Sequence, residues 1–235
     1  MVIALEQELV SEPFEHERYG LSVQVHPTVE LGRNGRFPSQ AVVITTAARK
    51  LIELSKGGVK IKAILVHSDG RDPMLHPEFR EISENLRELV RKWFPRAQMI
   101  LSASSLHLED HQARHALNSY DRPVLRFSAG TQKVFGMVTG EKPNQLTKVV
   151  DNLCRIEHEH LVILARFTRG EVDNSTDNEL KAWMKHIERV KPSTVEITTP
   201  AKAHKNGGKP VTKTRMKTIA ETLADKTGIP VEILE

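Results

Sequence analysis

The sequence predicts an α/β fold built on a parallel sheet, and three observations carry that prediction. Strand-like and helix-like periodicities alternate about six times along the chain. Glycine, proline and polar clusters fall between them, and the unusual residues collect where the strands end. Six βα units in succession imply right-handed crossovers between parallel strands. Eight would close a full barrel, so six suit an incomplete (β/α)6 barrel or an open sheet.

The elements follow in order. "LSVQVHP" (21–27) alternates like a strand, and after a glycine-containing loop "TTAARKLIELSK" (45–56) has a helical pattern. "VKIKAILVHS" (59–68) is the second strand. The long amphipathic stretch after it repeats Phe79, Ile82, Leu86, Leu89 and Val90 on one helical face until Pro95 forbids continuation. "AQMILSAS" (97–104) is the third strand and "HLEDHQARHALNSY" (107–120) a polar-faced helix. "RPVLRFSAG" (122–130) is the fourth, followed by helix from about 131 to 158 with a break at "TGEKPNQ". The remaining units are "HLVILARFTRG" with a helix over 177–189, "STVEITTPAK" with a helix over 212–227, and a short last strand in "IPVEILE". Residues 1–20 read as an N-terminal extension and 21–235 as a single domain, because no composition shift or linker divides the chain.

Bulk properties exclude several classes. The 235 residues are 39% hydrophobic and 27% charged, as in globular proteins, and no run of about 18 apolar residues could span a bilayer. The first 20 residues carry acids among their apolar positions and do not read as a secretory signal, so the cytoplasm is the expected location. Net charge is +4 and much of it is local, in the lysine-rich segment 202–217. That segment is the one place suited to nucleic-acid phosphates, but it has no aromatic residue for stacking and reads first as a solvated loop. Cys154, the single cysteine, falls among Val149, Val150 and Leu153 and reads as a small buried apolar residue. His107, His111 and His115 repeat every four residues. They span about 12 Å of helix, too far for one ion, and the glutamate of an H-E-x-x-H site is absent. No P-loop, G-x-G-x-x-G or G-x-S-x-G is present.

Four strand ends carry more. They are "SDGRDPMLHPEFREI" after the second strand, "SAGTQKVF" after the fourth, "RGEVDNSTDNEL" after the fifth and "ITTPAKA" after the sixth. In this order, over residues 21–234, they resemble the radical S-adenosylmethionine (SAM) superfamily. The likeness is to small iron–sulfur oxidoreductases related to wyosine-type tRNA-modifying enzymes. The resemblance implies an incomplete parallel barrel of the radical SAM type. It also implies a C-x-x-x-C-x-x-C loop after the first strand, whose thiolates hold a [4Fe–4S] cluster that cleaves SAM. Here those positions fall on Phe37, Ala41 and Ile44, within "GRFPSQAVVITTAARKL", and none of the three can ligate iron. The other reading of these three is plain helix-entry packing.

By the same resemblance, Asp69, Gly70 and Asp72 would approach the SAM amino group. Ser102, Ser104, Ser128, Arg169, Asn174 and Thr199 would form a polar ring around the rest of the ligand. Two departures bear on SAM: Arg71 replaces a usual glycine, and Ser128 a usual aspartate. The expectation is therefore a cluster-less radical-SAM-like protein, not catalytic by the family route, that binds a small molecule such as SAM or a partner protein. No metal and no [4Fe–4S] cluster are expected in this chain. Two alternatives stay open: a radical SAM enzyme whose cysteines were removed by design, and an iron-independent enzyme using Asp72, Arg71 and Arg169.

Overall fold

The alternation read from the chain emerges as an eight-stranded, mostly parallel sheet in a computed structural model, which describes residues 9–30, 35–67, 70–203 and 208–234. The first elements are β1 (Phe14–His16), β2 (Gly20–Val25), α1 (Gln40–Lys56), β3 (Ala63–Val66), α2 (Phe79–Trp93), β4 (Gln98–Ser104) and α3 (His111–Ala116). There follow β5 (Arg122–Arg126), α4 (Gln132–Thr139), α5 (Leu146–Leu153), β6 (Val162–Arg166), β7 (Thr168–Arg169) and α6 (Asp177–Val190). The last are β8 (Thr194–Thr198), β9 (Lys209–Pro210), α7 (Lys213–Thr227) and β10 (Val231–Ile233). The sheet runs β1-β2-β3-β4-β5-β6-β8-β10, with β7 and β9 forming a separate two-stranded ribbon. The β2–β3, β3–β4, β5–β6, β6–β8 and β8–β10 pairs are parallel, and β1 runs antiparallel to β2. The expected α/β fold on a mostly parallel sheet is thus present. The chain divides into two compact units, Met1–Pro123 and Val124–Glu235, whose boundary falls inside β5 with no linker.

In the first unit, α1 begins at Gln40, five residues ahead of the sequence expectation. Glu78 explains the extension: its carboxylate accepts from the Gln40 amide at 3.1 Å, giving one orphaned N-terminal donor a partner. Helix α1 buries Val43, Ala47, Leu51 and Leu54, and α2 buries Phe79, Ile82, Leu86 and Val90. Ser83 of α2 donates to or accepts from the Tyr120 hydroxyl at 2.8 Å, and burial pushes that phenol well above its ordinary pKa. The helix expected over 107–120 shrinks to six residues between two 3₁₀ turns. Asp110 supplies its cap at Gln112, whereas polar His107 and Leu108 stay outside it. The strand β1 was not anticipated, since three residues carry too short an alternation to read.

In the second unit, Trp183 of α6 is the anchor. It is 1% exposed, meets Phe167 edge-on with centroids 5.2 Å apart, and donates to the Phe127 carbonyl at 3.1 Å. Cys154 corrects an expectation: it is exposed, not buried. Helix α5 turns Leu146, Val149, Val150 and Leu153 inward but ends at Leu153, so Cys154 is the cap residue where the chain departs. The ribbon is a second surprise. Arg169 pairs with Lys209 and Thr168 with Pro210, so part of the lysine-rich segment is a strand and not a loop, while residues 204–207 lie outside the described residues.

Candidate functional site

Parallel strands present their ligands at their C-terminal ends, and the residues named from the sequence do gather at such ends, in each unit separately. In the first unit, β3 leads into the 70–72 stretch. Asp69 lies outside the described residues, and Gly70 is exposed, with open space where a Cβ would stand. Asp72 is 9% exposed. One carboxylate oxygen accepts from the Met74 amide at 3.0 Å and the other from the Ser104 amide, tying the end of β3 to the end of β4. Ser104 in turn accepts from the Leu106 amide at 3.2 Å, capping the 3₁₀ turn that follows. Ser102 is half-buried one register step inside. The Thr28 hydroxyl donates to the Arg71 carbonyl at 2.7 Å, fixing the stretch from the side of β2.

The three positions that the resemblance set against cluster cysteines are occupied in a specific way. Phe37 is half-buried in the loop before α1, Ala41 is exposed in the first turn of α1, and Ile44 is half-buried one turn on. Phe37 stacks on His76, with ring centroids 5.8 Å apart at 27°. The Arg71 guanidinium sits 5.5 Å from the Phe37 centroid, and Glu30 holds its Nε at 2.6 Å. His76 is 3% exposed, with Nε2 at 2.7 Å from the Pro38 carbonyl and Nδ1 accepting from the Glu78 amide at 3.0 Å. Phe37 and Arg71, which the resemblance set against a cysteine and a glycine, therefore touch one another. Sequence spacing could not show this, because 34 residues separate them. The donor set does not fit a cluster: the chain has one cysteine, and it lies in the other unit. Among the described residues no group of three His, Cys, Asp or Glu could hold a metal ion.

In the second unit the named polar residues form a knot of backbone hydrogen bonds. Asn174 is 1% exposed, and all of its short side chain is engaged. Its Nδ2 donates to the Ser128 and Arg166 carbonyls, both at 2.8 Å, and its Oδ1 accepts from the Thr168 amide at 2.7 Å. Ser128 Oγ accepts from the Arg166 amide at 2.9 Å. Thr199 donates to the Phe167 carbonyl at 2.9 Å and accepts from the Val211 amide at 2.8 Å, and exposed Arg169 donates to the Pro210 carbonyl at 2.9 Å. The "AGT" stretch has an equally local cause. A Cβ on Gly130 would overlap the Glu179 carbonyl oxygen and lie 2.5 Å from the Trp183 amide nitrogen, so only glycine lets α6 come this close. Buried Glu179 then accepts from the Gly130 and Thr131 amides at 2.6 and 2.7 Å, satisfying the entry to α4.

Sequence reasoning missed two pairs. His26 and His67, one residue past the paired Val25 and Val66, meet edge-on with centroids 4.7 Å apart. The signal was there, a histidine closing each of two consecutive strands. Arg126 and Arg166 are exposed residues at the last positions of β5 and β6, strands otherwise apolar through their middles. An arginine inside a parallel strand is itself the signal, since such strands read as apolar runs. Of the helical histidines, the His111 and His115 rings stand 6.4 Å apart, and His115 faces Glu84 at 3.8 Å. No helix among the described residues is long and apolar enough to cross a membrane.

No protein-family model and no curated protein matches the chain in sequence. Solved structures match its fold. SuiB from Streptococcus suis, solved bound to S-adenosylmethionine, is 12% identical with a TM-score of 0.60, over 88% of this chain and 45% of SuiB. A domain of the pyruvate-formate lyase-activating enzyme from Bacteroides vulgatus is 15% identical with a TM-score of 0.51, over 71% of this chain and 96% of that domain. A radical SAM methyltransferase from Sphaerobacter thermophilus is 11% identical with a TM-score of 0.55, over 94% of this chain and 68% of the enzyme. The chain thus has the fold of radical SAM enzymes at low sequence identity, and it spans just under half the length of SuiB.

Proposed function

We propose that this chain is a radical-SAM-like module without a cluster, which does not cleave SAM by the family route and uses its strand-end loops to bind a small molecule. The observation that carries this reading is the Arg71–Phe37–His76 stack. An aromatic ring stands at the first position that the resemblance sets against a cluster cysteine, and two of the chain's own groups pack on it. Phe, Ala and Ile offer iron no lone pair, and one thiolate does not replace three. SAM is the first ligand to test, because SuiB, which shares the fold, was solved with it bound.

The test is iron analysis beside calorimetry with SAM, on protein purified anaerobically. The expected result is no stoichiometric iron and no 5′-deoxyadenosine after addition of a strong reductant. Stoichiometric iron with a thiolate-to-iron absorption band overturns the reading. Saturable SAM binding without iron identifies the ligand, and its absence removes SAM from the proposal.

A further inference from the structure

Strand register places two arginines together on one face of the second unit. In the β5–β6 pair Arg126 stands opposite Leu164, and Arg166 lies two residues further along β6. Side chains two apart share a face, so Arg126, Leu164 and Arg166 project to the same side, as do Glu196 and Thr198 of β8. Phe127 and Phe167 alternate to the opposite side, where their rings meet His186 and Trp183 of α6. The arginine face is closed at its first row, where Val124 and Val162 are buried. It opens at the next rows, where Arg126 and Arg166 are exposed and Leu164 and Thr198 half-buried.

Arg166 is held in an unusual manner. Ser128 takes its amide and Asn174 its carbonyl, so its backbone is fixed from both sides. Among the described residues its guanidinium makes no hydrogen bond or ion pair. A rigid strand end therefore presents an uncommitted fork of donors at the edge where parallel sheets bind ligands. Arg126 is its diagonal neighbour, about 7–8 Å away between Cα atoms, a separation that two arginine side chains readily bridge.

We infer that Arg126 and Arg166 form a binding site for the phosphate group of a small molecule. Arg166 offers an open fork, and exposed Arg126, which has an interaction of its own, adds a second guanidinium charge beside it. Two adjacent guanidinium groups suit one dianion with three terminal oxygens, whereas a single carboxylate is satisfied by one fork. A nucleic-acid backbone would ask for a continuous basic stripe. Here Glu196 and Glu232 stand in the same row as Arg126, which interrupts such a stripe and favours a compact ligand. Asn174 is the positioning residue, acting through the Arg166 backbone. This inference goes beyond the cluster-less reading and does not need it, since phosphate binding here is independent of iron and SAM.

The experiment is calorimetry on the full chain at constant ionic strength, with pyrophosphate and inorganic phosphate as probes and citrate as the carboxylate comparison. Saturable phosphate or pyrophosphate binding is expected, weakened about tenfold or more by Arg166→Gln and by Arg126→Gln. Arg91→Gln, an exposed arginine of the other unit, should leave it unchanged. Both site arginines are exposed, so the variants should fold, and circular dichroism verifies it. The inference is overturned by a non-saturating salt effect, by citrate binding without phosphate, or by full affinity in the Arg126→Gln/Arg166→Gln double variant.

Discussion

The two units use their strand ends in opposite ways. In the first, side chains spend themselves on one another: Glu30 on Arg71, Arg71 on Phe37, Phe37 on His76. In the second, short polar side chains spend themselves on the backbone, and an arginine is left presented. A stack of partly exposed groups on one buried histidine fills space at little cost in order, whereas a buried asparagine with three partners sets the path of three chain segments at once. The first arrangement leaves its groups engaged with one another, and the second leaves an exposed arginine on a fixed backbone.

The difference makes a ranked set of expectations. Gly130→Ala should be the most damaging change, because the new Cβ meets backbone of α6 that no rotamer change can move. A loss of about 4 kcal/mol or more is expected, read as the shift in denaturant midpoint. If Gly130→Ala is tolerated, the close approach of α6 is wrong. Asn174→Ala comes next, at about 3 kcal/mol, since it strands two carbonyls and an amide in a buried place. The stack of the first unit should be the mildest. A double-mutant cycle on Phe37→Ala and Arg71→Met should give a coupling of about 0.5 kcal/mol, as cation–π pairs at exposed sites do. A coupling as large as the Asn174 effect would erase the contrast between the units.

Much of the fold was legible. Each of the six βα units appears where periodicity put it, because strand and helix repeats of 2 and 3.6 residues differ plainly. Boundaries shifted where a partner far along the chain decided them, as Glu78 does for the start of α1. Cys154 was misread because helical periodicity assumes that the helix continues, and α5 stops one residue earlier. For the candidate site, the sequence pointed to strand-end loops but not to what their residues touch. Asn174 and Ser128 were named as a polar ring, and the tertiary structure gives their side chains backbone partners. Arg126 and Arg166 went unnamed, because their importance depends on which face of the sheet each occupies and on the register between strands.

By itself, then, the sequence determined the α/β order, through local periodicity, and the lack of thiolates for a cluster, through a simple count of one cysteine. Only the tertiary structure decided that Phe37 and Arg71 touch, that Gly130 must be glycine, and that two arginines share a face. The physical reason is range. Periodicity and composition are properties of neighbours along the chain, whereas a stack, a close approach and a strand register join residues 34 to 53 positions apart and exist only once the chain has folded.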